Sequence, residues 1–234
     1  MRVTPIPALV DNYAWLLVDG DDAVVVDPSD AQPVLAALGA HHLRAVWCTH
    51  HHGDHVGGLP DLLAACGPVE VVASHVDRDR IPGVTRVVRE GDVLDFGGAR
   101  VLEVPGHTLG AVAYVLPDGV FSGDTLFSYG CGRVFEGTIP MLRDSLAKLR
   151  ELDGKLWCGH EYTVKNLRFG VQYDSALLPR LREAQAKRGR REPTVPSELA
   201  DERRGNPFLR WDDPALAHLG EDVFAVLREA RNRF

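Results

Sequence analysis

Apolar residues come in short runs through the first two thirds of the chain, separated by turn-forming residues. Tyr13-Ala14-Trp15-Leu16-Leu17-Val18 and Ala23-Val24-Val25-Val26-Asp27 flank Asp19-Gly20-Asp21-Asp22, a pattern that predicts a β-hairpin. A short helix is expected over 33–38, a strand over 44–48, and a helix over 56–65 with Leu59, Leu62 and Leu63 at helical spacing. Another buried strand is expected over 69–73. A second group of strands follows at 85–88, 93–96, 99–104, 111–116 and 119–122, punctuated by turns such as Phe96-Gly97-Gly98 and Pro117-Asp118-Gly119. A helix over 140–152 and a strand over 155–158 close this portion. The order suggests two sheets packed face to face and covered by helices, an α+β architecture.

After His160 the pattern changes. Residues 163–170, 177–187, 197–203 and 221–234 carry helix-like periodicity with no clear strand. A first domain over 1–164 and a helical domain over 165–234 are the expected division. The length of 234 residues allows one sizeable core with a small appendage.

Composition and charge narrow the partners. Apolar residues make up 45% and charged residues 25%, as in an ordinary soluble globular protein, and no apolar run approaches the roughly 20 residues of a membrane span. The opening Met1-Arg2-Val3-Thr4-Pro5-Ile6-Pro7 lacks the features of a secretory signal, which sets the expectation of a cytoplasmic protein. Cys48, Cys66, Cys131 and Cys158 are scattered, without a Cys-x-x-Cys pair, and read as free thiols in a reducing compartment. The net charge is −7. Through Pro179 the chain carries 14 basic and 23 acidic residues, and beyond it 12 and 10. An acidic body argues against nucleic-acid binding, while the more basic tail leaves room for a small anionic ligand. A soluble monomer acting on a small molecule is expected.

Candidate chemistry lies where strands end. Thr49-His50-His51-His52-Gly53-Asp54-His55 follows the apolar run 44–48 and places four of the ten histidines within six residues. Residues two apart on an extended segment share a face, so His50 and His52 can converge on one ion, and the following turn can aim Asp54 and His55 at another. Three further candidates follow strands: His107 in Pro105-Gly106-His107-Thr108, Asp124 in Ser122-Gly123-Asp124-Thr125, and His160 in Cys158-Gly159-His160-Glu161. Imidazoles and carboxylates suit zinc, iron or manganese, and the ligand types alone do not choose among them.

This set resembles the signature of the metallo-β-lactamase superfamily, His-x-His-x-Asp-His followed by a later His, Asp and His. The resemblance implies the αββα sandwich of that superfamily, here with a C-terminal helical domain. It also implies two divalent metal ions per chain, zinc foremost. His50, His52, His107 and Asp124 would form one site, and Asp54, His55, Asp124 and His160 the other, with Asp124 bridging. Asp54 would also orient the bridging hydroxide that attacks an electrophilic carbonyl. His51 fills the variable position and is not a ligand by this resemblance.

A narrower resemblance reaches almost to the last residue. Gly123-Asp124-Thr125-Leu126-Phe127, the stretch Gly130-Cys131-Gly132-Arg133-Val134-Phe135-Glu136-Gly137-Thr138, and Gly159-His160-Glu161-Tyr162-Thr163 are similar to glyoxalase II, the hydroxyacylglutathione hydrolases. So are Pro193-Thr194-Val195-Pro196-Ser197, Asn206-Pro207-Phe208-Leu209-Arg210 and the closing Leu227-Arg228-Glu229-Ala230-Arg231-Asn232-Arg233-Phe234. The resemblance implies hydrolysis of S-D-lactoylglutathione, with Arg133, Tyr162, Arg228 and Arg231 as glutathione contacts. Arg228 and Arg231 share a helical face by their i, i+3 spacing, and an arginine fork suits a carboxylate. Phe135 stands where the family often has tyrosine, and Gly110-Ala111 where it usually has Gly-His. The rival activities are a glutathione persulfide dioxygenase, a lactonase and a β-lactamase.

Overall fold

In the computed structural model, which describes all 234 residues, the chain opens with β1 (Arg2–Ala8), paired antiparallel along its length with β2 (Asn12–Asp19). β2 turns into β3 (Asp22–Val26), the hairpin that the apolar runs predict. β1 itself carries no strand-like signal, because Pro5 and Pro7 interrupt it; as an edge strand it tolerates both. The chain divides into two units. The first comprises residues 1–103, 110–117 and 121–123; the second comprises 104–109, 118–120 and 124–234.

The first unit is built on a six-stranded sheet. After β3 come α1 (Ala31–Leu38), β4 (His42–Trp47), α2 (Gly53–Val56), α3 (Leu59–Cys66), β5 (Glu70–Ser74) and β6 (Arg86–Val88), with β3, β4, β5 and β6 parallel in that order. Parallel neighbours need crossovers, and α1 and α3 supply two of them. β2, β3 and β5 are buried on both faces, so their sequences read as continuous apolar runs. Alternate residues sort the faces. Ala14, Leu16, Val25, Val46 and Val71 pack with Val34, Leu38, Leu59 and Leu62 of the helices. On the opposite face Trp15 meets Phe121 at 6.2 Å and Trp47 meets Tyr114 at 5.1 Å, between ring centroids. Tyr114 belongs to β8 (Val112–Leu116), which pairs antiparallel with β7 (Arg100–Glu103), and its hydroxyl donates to the Cys48 carbonyl at 2.8 Å.

Two expectations fail here for local reasons. The helix expected over 56–65 is two helices broken at Gly57-Gly58. Gly58 donates to the Pro28 carbonyl at 2.9 Å, and a Cβ there would lie 2.5 Å from the Ala31 nitrogen. The strand expected over 93–96 shrinks to a single bridge between Val93 and Arg100, because Gly97 and Gly98 both take φ of +65° in a 3₁₀ turn.

The remaining strands and helices follow in order: β9 (Gly119–Gly123), β10 (Leu126–Phe127), β11 (Gly130–Cys131), α4 (Ile139–Arg150), β12 (Lys155–Cys158), α5 (Thr163–Gly170), α6 (Leu178–Gly189), β13 (Ser197–Glu198), α7 (Leu199–Gly205) and α8 (Val223–Arg233). The second sheet runs β13-β12-β9-β8-β7. β13 corrects the expectation of no strand after His160; two residues are too few to show a period of two. In the second unit Phe169, Phe208 and Phe224 form an aromatic spine, with centroids 5.8 and 6.1 Å apart. β10 and β11 form a hairpin whose turn is Ser128-Tyr129, and Tyr129 sits at φ +56°. An L residue in that region costs about 1–2 kcal/mol, so surrounding bonds must hold the turn.

Candidate metal centre

In the first unit, β4 delivers Thr49 and His50 just beyond its end, and the single turn of α2 carries Asp54 and His55. The His52 carbonyl starts that turn by accepting from the His55 and Val56 nitrogens at 2.9 and 3.1 Å. The imidazoles are gathered: His50 lies 4.7 Å from His52 and 4.2 Å from His55, between ring centroids. His50 and His55 are each 1% exposed.

One buried carboxylate, which the sequence pattern did not single out, arranges this group. Asp27, at the end of β3 with φ +50°, accepts from the Thr49 nitrogen at 2.7 Å and the Thr49 hydroxyl at 2.6 Å. His55 Nδ1 lies 2.9 Å from its Oδ2, and His50 Nδ1 lies 3.1 Å from the Thr49 hydroxyl oxygen. Both rings thereby keep Nε2 for an ion, the arrangement by which outer groups orient metal ligands. Asp54 is set by Asn12, also missed, whose amide donates to the Asp54 carbonyl at 2.9 Å and to its Oδ2 at 3.1 Å. His51 is turned to other partners. Its Nδ1 lies 3.2 Å from the fully buried Asp77, and its Nε2 lies 2.5 Å from Arg80.

In the second unit, Asp124 Oδ2 lies 3.5 Å from His107 Nε2 and 3.3 Å from His160 Nε2, and all three side chains are buried. His107 Nδ1 is 2.7 Å from the Arg133 carbonyl, which again leaves Nε2 facing the carboxylate. Gly132 makes this approach possible, since any Cβ there would run into the Asp124 carbonyl and close on His107.

The residues expected to hold glutathione also lie in the second unit. Tyr162 stacks on His160, with centroids 4.6 Å apart and planes 7° apart, and Phe127 meets both rings edge-on at 5.2 and 5.8 Å. Arg133 is exposed, 5.7 Å over the Phe135 ring. Arg228 and Arg231 differ despite their shared face. Arg228 is 3% exposed and donates to the Cys131 and Gly132 carbonyls, both at 2.9 Å. Arg231 is half-buried and donates to Asn166 at 3.1 Å. Burial, then the neighbouring Arg228 charge, lowers the Arg231 pKa from its usual value, a strain that a bound carboxylate would relieve.

Comparison with known proteins accords with this arrangement. The metallo-beta-lactamase superfamily matches residues 8–160, and the hydroxyacylglutathione hydrolase C-terminus matches residues 161–234. A hydroxyacylglutathione hydrolase of Synechococcus sp. (strain JA-2-3B'a(2-13)) is 49% identical over 253 residues, covering 100% of both chains. The crystal structure of ETHE1 from Myxococcus xanthus is 25% identical with a TM-score of 0.70, covering 99% of this chain and 92% of that one. A crystal structure of TTHA1623 in a di-iron-bound form is 27% identical with a TM-score of 0.67, covering 88% and 100%. The α+β fold is thus that of the metallo-β-lactamase superfamily with a helical C-terminal region, and its His and Asp cluster suits divalent metal ions. By its full-length identity and by both matches, the chain belongs to the hydroxyacylglutathione hydrolases of that superfamily.

Proposed function

We propose that this chain hydrolyses S-2-hydroxyacylglutathiones, S-D-lactoylglutathione among them, releasing glutathione and the 2-hydroxy acid, D-lactate, in methylglyoxal detoxification. The observation that carries the reading is the Asp124 carboxylate within 3.5 Å of two histidine Nε2 atoms, in a chain that is 49% identical to a full-length hydroxyacylglutathione hydrolase.

We assign His50, His52 and His107 to one divalent ion and Asp54, His55 and His160 to a second, with Asp124 shared. The donor set fits: five imidazoles, with Nδ1 of His50, His55 and His107 engaged elsewhere, plus two carboxylates, suit zinc, and also iron or manganese. When bound, such ions supply a water acidified toward neutral pH and polarise the thioester oxygen. Asp54, steadied by Asn12 and 45% exposed at its side chain, orients the attacking water by accepting a hydrogen bond from it. Water gives up a proton as its oxygen bonds to the thioester carbon, the C–S bond breaks, and the departing thiolate takes up a proton to leave as glutathione.

Residues 1–164 form the catalytic domain in this reading, and residues 165–234 bind the glutathione peptide through Arg231, with the buried Arg228 in support, holding the Cys131 and Gly132 carbonyls. Arg133 and Tyr162 contribute from the catalytic side. One chain carries every assigned ligand, so a monomer suffices. No disulfide links the four cysteines, the state in which a reducing compartment such as the cytosol would keep them.

A single comparison tests the reading. Metal-loaded protein should hydrolyse S-D-lactoylglutathione far faster than a lactone or a β-lactam, without consuming oxygen on glutathione persulfide. Faster turnover of the lactone or lactam, or oxygen uptake with sulfite formation, would overturn it.

A further inference from the structure

The second unit contains a buried acid that the reaction does not use. Glu202, on α7, is 0% exposed. Its Oε1 accepts from the Ser128 hydroxyl at 3.1 Å, and its Oε2 accepts from the Tyr129 nitrogen at 2.7 Å and the Asn206 amide at 3.0 Å. The same Asn206 amide reaches the Phe127 and Gly130 carbonyls at 3.2 and 3.1 Å. Asn166 donates to the Ser128 carbonyl at 3.0 Å. Every residue of the turn Phe127-Ser128-Tyr129-Gly130 is therefore tied down by a side chain more than 35 residues away, and the strained Tyr129 backbone nitrogen is bonded directly to the buried acid.

What the turn carries explains the investment. Before it stands Phe127, edge-on to Tyr162 at 5.2 Å. After it come Cys131 and Gly132, whose carbonyls are held by Arg228, and then Arg133. We infer that Glu202 is a positioning residue for glutathione recognition: it fixes the Ser128-Tyr129 turn, and through that turn it sets Tyr162 and Arg133. This rests on the reading of Tyr162 and Arg133 as glutathione contacts.

The acceptor geometry defines the test. Three donors converge on the two Glu202 oxygens, so Glu202→Gln keeps the shape but turns an NH₂ group toward at least one of them. Ser128→Ala removes a single bond and is the milder variant. Steady-state kinetics of both metal-loaded variants should show KM for S-D-lactoylglutathione raised about 10-fold for Glu202→Gln and about 3-fold for Ser128→Ala. The metal content should be unchanged, kcat should stay within about twofold, and a thioester lacking the glutathione peptide should respond little. A purely structural role would instead lower activity on both substrates alike. Equal losses on the two substrates, loss of metal, or an unchanged KM each overturn the inference. If Glu202→Gln does not fold, the outcome for Ser128→Ala decides by the same criteria. Tyr162→Phe and Arg133→Ala separate the two ideas. If they raise KM while Glu202→Gln and Ser128→Ala do not, only the positioning role fails. If they too leave KM unchanged, the assignment of the glutathione contacts fails.

Discussion

Nδ1 of His55 lies 2.9 Å from Oδ2 of Asp27, a contact between two buried groups 28 residues apart in the chain. The same carboxylate takes both the backbone and the hydroxyl hydrogen bonds of Thr49. One side chain at the end of β3 therefore orients His55 directly and His50 through Thr49.

Asp27→Asn should weaken metal binding by roughly 10–100-fold, the usual effect of losing an outer partner of a ligating histidine. Competition with a chelator measures it. An unchanged affinity would mean that the histidines hold their orientation without Asp27.

Asp124 and Asp54 should separate by their roles. Asp124→Ala should lower occupancy of both ions in elemental analysis, because its carboxylate faces His107 and His160 at once. Asp54→Asn should reduce kcat by more than it raises KM if, as proposed, it acts on the attacking water rather than on substrate affinity. His51→Ala, whose ring is turned to Asp77 and Arg80, should keep its metal. Metal loss in His51→Ala equal to that in His52→Ala would refute the ligand assignment.

Arg228 and Arg231 should no longer behave as a pair. Truncating Arg228 strands two buried carbonyls, at a cost of about 2–4 kcal/mol and a fall in Tm of roughly 4–16 °C. Arg231→Ala should raise KM for S-D-lactoylglutathione about 10-fold with little change in Tm. Thermal melts and kinetics on both variants distinguish these outcomes. A Tm loss in Arg231→Ala matching that of Arg228→Ala would place both in the fold.

Glu202 should leave a signature in stability against pH. Burial pushes its carboxyl up to about 7, against hydrogen bonds from Tyr129, Asn206 and Ser128 that favour the charged form. A carboxyl raised in the folded state holds its proton while the unfolded chain releases it. Its contribution is full below about pH 4.5 and is lost as pH rises through about 7. Across that window the stability of the protein relative to Glu202→Gln should fall by about 3 kcal/mol. Melts of the two proteins at matched pH measure the difference. A difference that grows with pH would show that the hydrogen bonds, not burial, dominate.

The candidate cluster was legible because histidines and aspartates are crowded beside strand ends, where neighbours in sequence are neighbours in space. Asp27 and Asn12 were not, since each looks like an ordinary polar residue beside an apolar run and meets its partners only after folding. Glu202 is further still from its partner Ser128, 74 residues along the chain. The shared face of Arg228 and Arg231 followed from helical spacing, but spacing does not say which arginine turns inward. Arg228 does so beside the buried Leu227 and Phe224. The break at Gly57-Gly58 was equally hidden, because it is forced by the backbone of residues 28–31.

Pro5 and Pro7 lie two residues apart on β1, and so turn the same side of their backbone outward at the margin of the six-stranded sheet. Neither has an N–H to offer. An exposed strand with a full row of donors is a template on which a neighbouring chain can add itself and begin an aggregate. Here the row is missing two donors, so this margin is a poor place for another strand to start, and the sheet terminates itself.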